Sequence, residues 1–182
     1  MKITTTTIDG LLIIEPRLFE DARGYFFESF SAREFEREVT DTRFVQDNES
    51  RSTRGVLRGL HVQRPPHAQA KLVRVILGRV LDVAVDARHG SPTFGRHLQV
   101  ELSGDNKRQL FIPRGLAHGY VVLSDEAILQ YKCDNYYEPA SETGIRHDDP
   151  DLAIDWRLPP GLLLLSEKDK HLPRLRDLYN KE

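Results

Sequence analysis

From Lys71 onward the chain alternates. Lys71, Val73, Val75 and Leu77 share one face of an extended segment, and Leu72, Arg74 and Ile76 share the other. That period of two is the signature of a β-strand. Gly78-Arg79 turns the chain, and Leu81, Val83 and Val85 then alternate with Asp82, Ala84 and Asp86. Gly90-Ser91-Pro92 marks another turn, Leu98, Val100 and Leu102 alternate with His97, Gln99 and Glu101, and Ser103-Gly104-Asp105-Asn106 closes that strand. Leu110-Phe111-Ile112 is a brief strand stopped by Pro113, and residues 119–123 and 127–133 pair about Ser124-Asp125-Glu126. Ahead of Lys71, residues 4–8 are β-prone and Gly10 punctuates them before the apolar run 11–14. The turn Asp21-Ala22-Arg23-Gly24 leads into an aromatic strand over 25–30, whose Phe26 and Phe30 are expected in the core. Arg23 and Glu28, taken singly, read as surface charges. The polar run 46–50 suits hydrogen bonding to a ligand and equally a solvated loop.

One helix is well signalled. Ser31 is its N-cap, Glu34 has the spacing of a capping box, and Phe30 and Phe35 have that of a hydrophobic staple. Val39 continues its apolar face and Thr40-Asp41 ends it, giving a surface helix of about nine residues with no chemistry. Residues 162–178 add a short helix or two, broken by Pro173. Many short strands, turns at about 8–12-residue spacing and a single strong helix predict an all-β fold: a double-stranded β-helix or jelly-roll barrel with a few short helices.

Composition narrows the function classes. The 182 residues, 39% hydrophobic and 30% charged, fit one globular domain spanning 1–182. A formal net charge of -2 gives no electrostatic footprint for nucleic acid. No apolar run approaches the roughly 18 residues that span a bilayer, and the N-terminus lacks a signal-peptide pattern. The single cysteine, Cys133, excludes an internal disulfide or a Cys-based metal cluster. The cytoplasm is the expected compartment.

The richest stretch for chemistry runs from Arg58 to Lys71, with two His and three cations between strands. Gly55 and His61 have the Gly-x5-His spacing, and Pro113-Arg114-Gly115-Leu116-Ala117-His118 is a full Pro-x-Gly-x2-His; both resemble the metal motifs of the cupin class of jelly rolls. The departures matter more. Gln63 stands where the second His belongs, and no Glu follows at the expected distance. His61 and His118 alone fall short of the three or four protein ligands of a stable transition-metal site, so no metal is expected. An imidazole freed from metal can act as a general base near neutral pH, best when a carboxylate fixes its tautomer. Which of the 28 acidic residues does so is not readable from the pattern. Lys71, sharing parity with Val73 and Val75, points inward, where an ammonium can stabilise an oxyanion. Tyr131 shares parity with Leu129 and Cys133, and its phenol is either a satisfied core hydroxyl or a proton donor to a carbanion.

Taken together, the motifs resemble a known family, the dTDP-4-dehydrorhamnose 3,5-epimerases. The likeness runs through Arg23-Gly24-Tyr25-Phe26-Phe27-Glu28, Gln46-Asp47-Asn48, Arg58-Gly59-Leu60-His61-Val62-Gln63 and Gln69-Ala70-Lys71-Leu72-Val73-Arg74-Val75. It continues through Asp82-Val83-Ala84-Val85-Asp86, Ser91-Pro92-Thr93-Phe94-Gly95, Ile112-Pro113-Arg114-Gly115-Leu116-Ala117-His118-Gly119, Tyr131-Lys132, Asp149-Pro150 and Leu165-Ser166-Glu167-Lys168-Asp169. The resemblance implies a cupin-like jelly roll, a homodimer, and neither cofactor nor metal. It implies conversion of dTDP-4-dehydro-6-deoxy-D-glucose to dTDP-4-dehydro-L-rhamnose, the step before the reduction that gives dTDP-L-rhamnose. His61 becomes the base, Asp169 its carboxylate, Tyr131 the donor on the opposite face of the sugar, and Lys71 the neighbour of the C4 oxygen. His118 lines the pocket. Arg23, Glu28, Gln46, Asp47, Asn48, Arg58, Glu142 and Lys168 match positions around the nucleotide or its diphosphate, and Tyr137 matches an aromatic stacked on thymine. Val62, Leu116 and His147-Asp148 depart from the family's commoner residues; none is a proposed catalytic group.

Other classes fit parts of the sequence. Relatives in antibiotic-sugar pathways invert C3 or C5 alone. A metal-dependent cupin would use His61, His118 and a third His such as His67, and metal content would separate it. A non-catalytic nucleotide-sugar binder would lack the base or the donor, and here both are present.

Overall fold

Two antiparallel sheets face each other across a shared apolar layer. The protein is described by a computed structural model that covers residues 1–179. One sheet has six strands, in the order β1 (Lys2–Thr5), β2 (Leu12–Glu15), β10 (Gln109–Ile112), β7 (Lys71–Leu77), β12 (Glu126–Cys133) and β5 (Gln46–Thr53). The other has five: β13 (Glu142–Gly144), β6 (Leu57–Gln63), β11 (Leu116–Val122), β8 (Arg79–Asp86) and β9 (His97–Ser103). A separate hairpin pairs β3 (Phe19–Asp21) with β4 (Gly24–Phe26). This is the expected cupin-like jelly roll.

Between the sheets, Val73, Val75 and Leu129 meet Val80, Ala84, Leu116 and Val122. The parity argument for β7 therefore holds, with Lys71 on the inward face. The outer face of the five-stranded sheet is also covered. Leu81, Val83, Val85, Ala117 and Val121 lie under Ile145, Leu152, Trp156, Leu175 and Leu178 from the C-terminal third. At about 1.5–3 kcal/mol for each fully buried aliphatic side chain, that cover holds the C-terminal segment firmly against the barrel. One consequence is local: β8 is apolar on its outer face, so Asp82 and Asp86 turn inward with Ala84. A second bears on the site, because the same segment carries α2 (Glu167–Lys170) to the sheet.

Asp86 shows how an inward carboxylate is tolerated. It is fully buried and accepts from Arg88 Nε and Nη2, the Arg88 N–H, Ser91 Oγ and Thr93 Oγ1. Burial alone would raise its pKa, but the bonds from Arg88, Thr93 and Ser91 together hold the carboxyl well below the usual carboxylate range. A depressed folded pKa means its stabilisation is complete above the unfolded value and fades as pH falls toward the folded one. Asp86→Ala is expected to cost toward the low end of about 3–5 kcal/mol, since Arg88 retains some solvent access, and a lowered denaturant midpoint measures it.

α1 (Ala32–Glu38) packs Phe35 against Ile14, Leu72 and Phe111 on the outer face of the six-stranded sheet. Ser31 is its N-cap as expected, its Oγ accepting from the Glu34 N–H at 3.4 Å, and the Phe30 and Phe35 rings lie 5.7 Å apart. The Glu34 side chain makes no return bond to the Ser31 N–H, so only half of the capping box forms. The helix is seven residues, shorter than the spacing predicts. The aromatic strand differs more. Phe30 packs with Phe35 and Phe44, but Phe26 is 68% exposed. The strand stops at Phe26, and among the described residues its only partner is β3, so none of the described sheet lies beneath it to bury that ring.

Candidate active site

β6 and β11 bring two imidazoles side by side, since His61 and His118 are direct cross-strand partners. Each is engaged by a carboxylate. His61 Nε2 lies 2.7 Å from Asp169 Oδ1, and His118 Nε2 lies 2.9 Å from Asp82 Oδ2. An ionised carboxylate only accepts, so His61 carries its hydrogen on Nε2 and keeps the Nδ1 lone pair for a proton. Asp169 is itself well placed. Ser166 caps α2 by accepting from the Asp169 N–H at 3.1 Å, and the Gly59 N–H donates to Asp169 Oδ2 at 3.3 Å. Burial pushes the Asp169 carboxyl upward, but the His61 bond and charge, with Gly59 and Ser166, outweigh it and hold the pKa below its ordinary value.

The facing wall comes from the six-stranded sheet. Tyr131 on β12 sits opposite Val73 of β7 and Asn48 of β5, and Cys133 sits opposite Lys71. Lys71 Nζ is 5.8 Å from the Tyr131 ring centroid. Lys71, Tyr131 and Asn48, with His61, His118 and Arg58, line a cavity of about 320 Å³. Desolvation lowers the Lys71 pKa and pushes the Tyr131 phenol up to about 12. It also lifts the Cys133 thiol to about 11, leaving it a neutral neighbour of Asn48 rather than a competing base. An acceptor of protons thus stands on one wall, with a protonated phenol and a desolvated ammonium on the other.

A polar chain continues along the rim. Gln46 Nε2 donates to Asn48 Oδ1 at 3.0 Å, and Gln46 Oε1 accepts from the Tyr137 N–H at 3.1 Å. Tyr137 Oη donates to Glu142 Oε2 at 2.7 Å, and Lys168 pairs with the same carboxylate. Burial would raise the Glu142 pKa, but Lys168 and Tyr137 bring it below the ordinary range. Arg58 is exposed, its Nε donating to Ser52 Oγ at 3.1 Å.

Three predicted residues join neither this cavity nor the chain of bonds beside it. Asp47 falls on the outer face of β5, where Lys132 pairs with it at 2.9 Å. Arg23 sits at the tip of the β3–β4 hairpin, 90% exposed and bonded to Asp21. Glu28 borders a different hollow, with Arg17, Phe19 and Phe35, on the outer side of the six-stranded sheet. In exchange the structure adds Asp82, Ser50 and Tyr120. Tyr120 follows His118 by two residues and Asn48 precedes Ser50 by two, so strand parity could have found both once the inward faces were known. Gln63 also acquires a role. Its Nε2 donates to the His67 and Tyr136 carbonyls at 2.6 and 3.2 Å, and its Oε1 accepts from the Glu138 N–H at 2.8 Å. The side chain that stands in place of a cupin ligand therefore ties two loops together. Among the described residues no three His, Cys, Asp or Glu side chains are grouped to hold a metal ion.

The chain is similar to known proteins over nearly its whole length. The family model described as dTDP-4-dehydrorhamnose 3,5-epimerase matches residues 5–177. The dTDP-4-dehydrorhamnose 3,5-epimerase of Methanothermobacter thermautotrophicus is 52% identical over 177 residues, covering 97% of this chain and 95% of the relative. The crystal structure of the enzyme of that name from Elizabethkingia anophelis superposes with a TM-score of 0.93 at 50% identity, covering 98% of each chain. So does a dTDP-6-deoxy-D-glucose-3,5-epimerase from Legionella pneumophila, solved in complex with dTDP-4-keto-L-rhamnose, with a TM-score of 0.93, 53% identity, and 97% and 94% of the two chains covered. On likeness that spans nearly its whole length, the chain belongs to the dTDP-4-dehydrorhamnose 3,5-epimerase family.

Proposed function

We propose that the protein is a carbohydrate epimerase that inverts C3 and C5 of dTDP-4-dehydro-6-deoxy-D-glucose to give dTDP-4-dehydro-L-rhamnose, acting through one domain that spans residues 1–182. The observation that carries the reading is the carboxylate-held His61, facing a cavity whose other wall bears Tyr131 and Lys71. Both inverted carbons flank the C4 ketone, so loss of either proton gives an enolate. His61 removes the proton, with Asp169 stabilising the imidazolium that forms. Lys71 supports the charge that develops on the C4 oxygen. Inversion requires return of a proton on the other face, and Tyr131, held protonated by its raised pKa, donates it. His118, fixed by Asp82, completes the cavity wall beside His61.

The nucleotide occupies the rim. Arg58 takes the diphosphate in a guanidinium fork, Tyr137 stacks on the base, and Gln46, Asn48, Glu142 and Lys168 frame them. Arg23 and Glu28 enter from a second protomer of a homodimer. The hairpin that bears Arg23 exposes Phe19, Tyr25 and Phe26, an apolar surface suited to a partner. Nothing in the charge balance favours nucleic acid. No described helix is long and apolar enough to cross a membrane, and the cytoplasm is the proposed compartment.

Proton NMR of the product formed in deuterated buffer tests the reaction. Solvent deuterium is expected at both C3 and C5, with the configuration of each inverted. Label at one carbon alone would make the protein a mono-epimerase, and absence of label at both would end the epimerase reading.

A further inference from the structure

Tyr120 is buried, and its Oη lies 2.8 Å from Ser50 Oγ. The contact crosses the barrel, because Tyr120 projects from β11 and Ser50 from β5 of the facing sheet. Both residues border the cavity that holds His61, Lys71 and Tyr131. Two hydroxyls carry two hydrogens, and only one can lie between the two oxygens. Among the described residues neither oxygen has a second hydrogen-bond partner. One O–H is left over, and the space both residues share is the cavity.

We infer that Ser50 Oγ donates to Tyr120 Oη and that the phenol O–H, left over, donates to the C2 hydroxyl of the bound sugar, which makes Tyr120 a residue that selects 2-hydroxy over 2-deoxy sugars; the inference rests on the epimerase reading above. Register picks out the carbon. Tyr120 is the cross-strand partner of Arg58, and His118, two residues earlier on β11, is the partner of His61. With the diphosphate on Arg58 and the reacting C3 at His61, the ring atom between them is C2. Tyr120 stands level with Arg58 and one inward position along from His118, so its phenol lies on the diphosphate side of C3, the side on which C2 carries its hydroxyl. Its tether to Ser50 fixes the phenol in one place, so little freedom is lost when the sugar arrives.

The test compares kcat/KM for dTDP-4-keto-6-deoxyglucose and its 2-deoxy analogue in the wild type and in Tyr120→Phe. One neutral hydrogen bond corresponds to a preference of about tenfold for the 2-hydroxy sugar in the wild type. Tyr120→Phe is expected to remove that preference by slowing the 2-hydroxy substrate while leaving the 2-deoxy substrate unchanged. A variant that keeps the wild-type ratio, or that slows both substrates equally, overturns the inference, because a purely structural role does not distinguish the sugars. Ser50→Ala, which unties the phenol, is expected to weaken the same ratio, and it decides the matter should Tyr120→Phe fail to fold; an unchanged ratio there also overturns it. Failure of the epimerase reading looks different. The wild type would then exchange deuterium into neither sugar, and the inference would fall with it.

Discussion

Replacement of His61 by alanine is expected to lower turnover by roughly 10²- to 10⁴-fold and to remove deuterium exchange at C3 and C5 together. Both losses follow from one geometry. The imidazole is the cavity group whose lone pair is set free by a fixed tautomer, because Asp169 takes the other ring nitrogen at 2.7 Å. Its neighbours are less suited to the role. His118 is held through its Nε2 by Asp82 in the same way, but that pair is almost wholly buried, whereas the His61 side chain is 27% exposed. The Cys133 thiol, pushed up to about 11 by burial, carries almost no thiolate at neutral pH. Substrate binding should change far less, since the rim residues Tyr137, Glu142 and Lys168 hold one another without His61. Single-turnover exchange with saturating substrate checks the prediction, and a His61→Ala protein that still exchanges at near the wild-type rate would remove His61 from its role.

How much of this was legible before the structure depends on what each residue needed in order to be read. Period-two alternation placed Lys71 and Tyr131 on inward faces, and the structure agrees, because side-chain direction along a strand is a local property. The sheet pairing that sets His61 beside His118 is not local, so the pattern could name both imidazoles without saying that they touch. Asp169 is the extreme case. It reaches His61 from 108 residues away, on a four-residue helix pinned by the cover of the outer sheet face; only the family resemblance singled it out. Asp82 escaped notice for a related reason. Alternation with Leu81 and Val83 reads as a polar outer face, and only the C-terminal cover reverses that. Phe26 erred in the opposite sense, since an aromatic residue in a strand pattern promises burial, whereas a two-stranded hairpin offers no layer to bury it against.

Tyr131→Phe should separate exchange from inversion. With His61 and Asp169 intact, the proton still leaves and the enolate still forms beside Lys71, but the opposite face has lost its donor. The imidazolium, on a side chain 27% exposed, can trade its proton with solvent and return deuterium to the face it came from. Solvent label should therefore enter the substrate with retained configuration, while inverted product falls by roughly 10²- to 10⁴-fold. Mass spectrometry of recovered substrate, run beside NMR of the product, reads the two rates separately. A parallel fall in both would mean that Tyr131 shapes the cavity rather than donating, and inversion at an undiminished rate would mean that another group delivers the proton. The two groups of this wall also part on the pH axis. Burial raises the phenol to about 12, so Tyr131 stays loaded past the pH at which a free phenol ionises, while the same burial lowers the Lys71 pKa. Lys71 loses its charge first as pH rises, and with it the support for the C4 oxygen. An alkaline decline in kcat then reports Lys71, and it should persist at the same pH in the residual exchange of Tyr131→Phe.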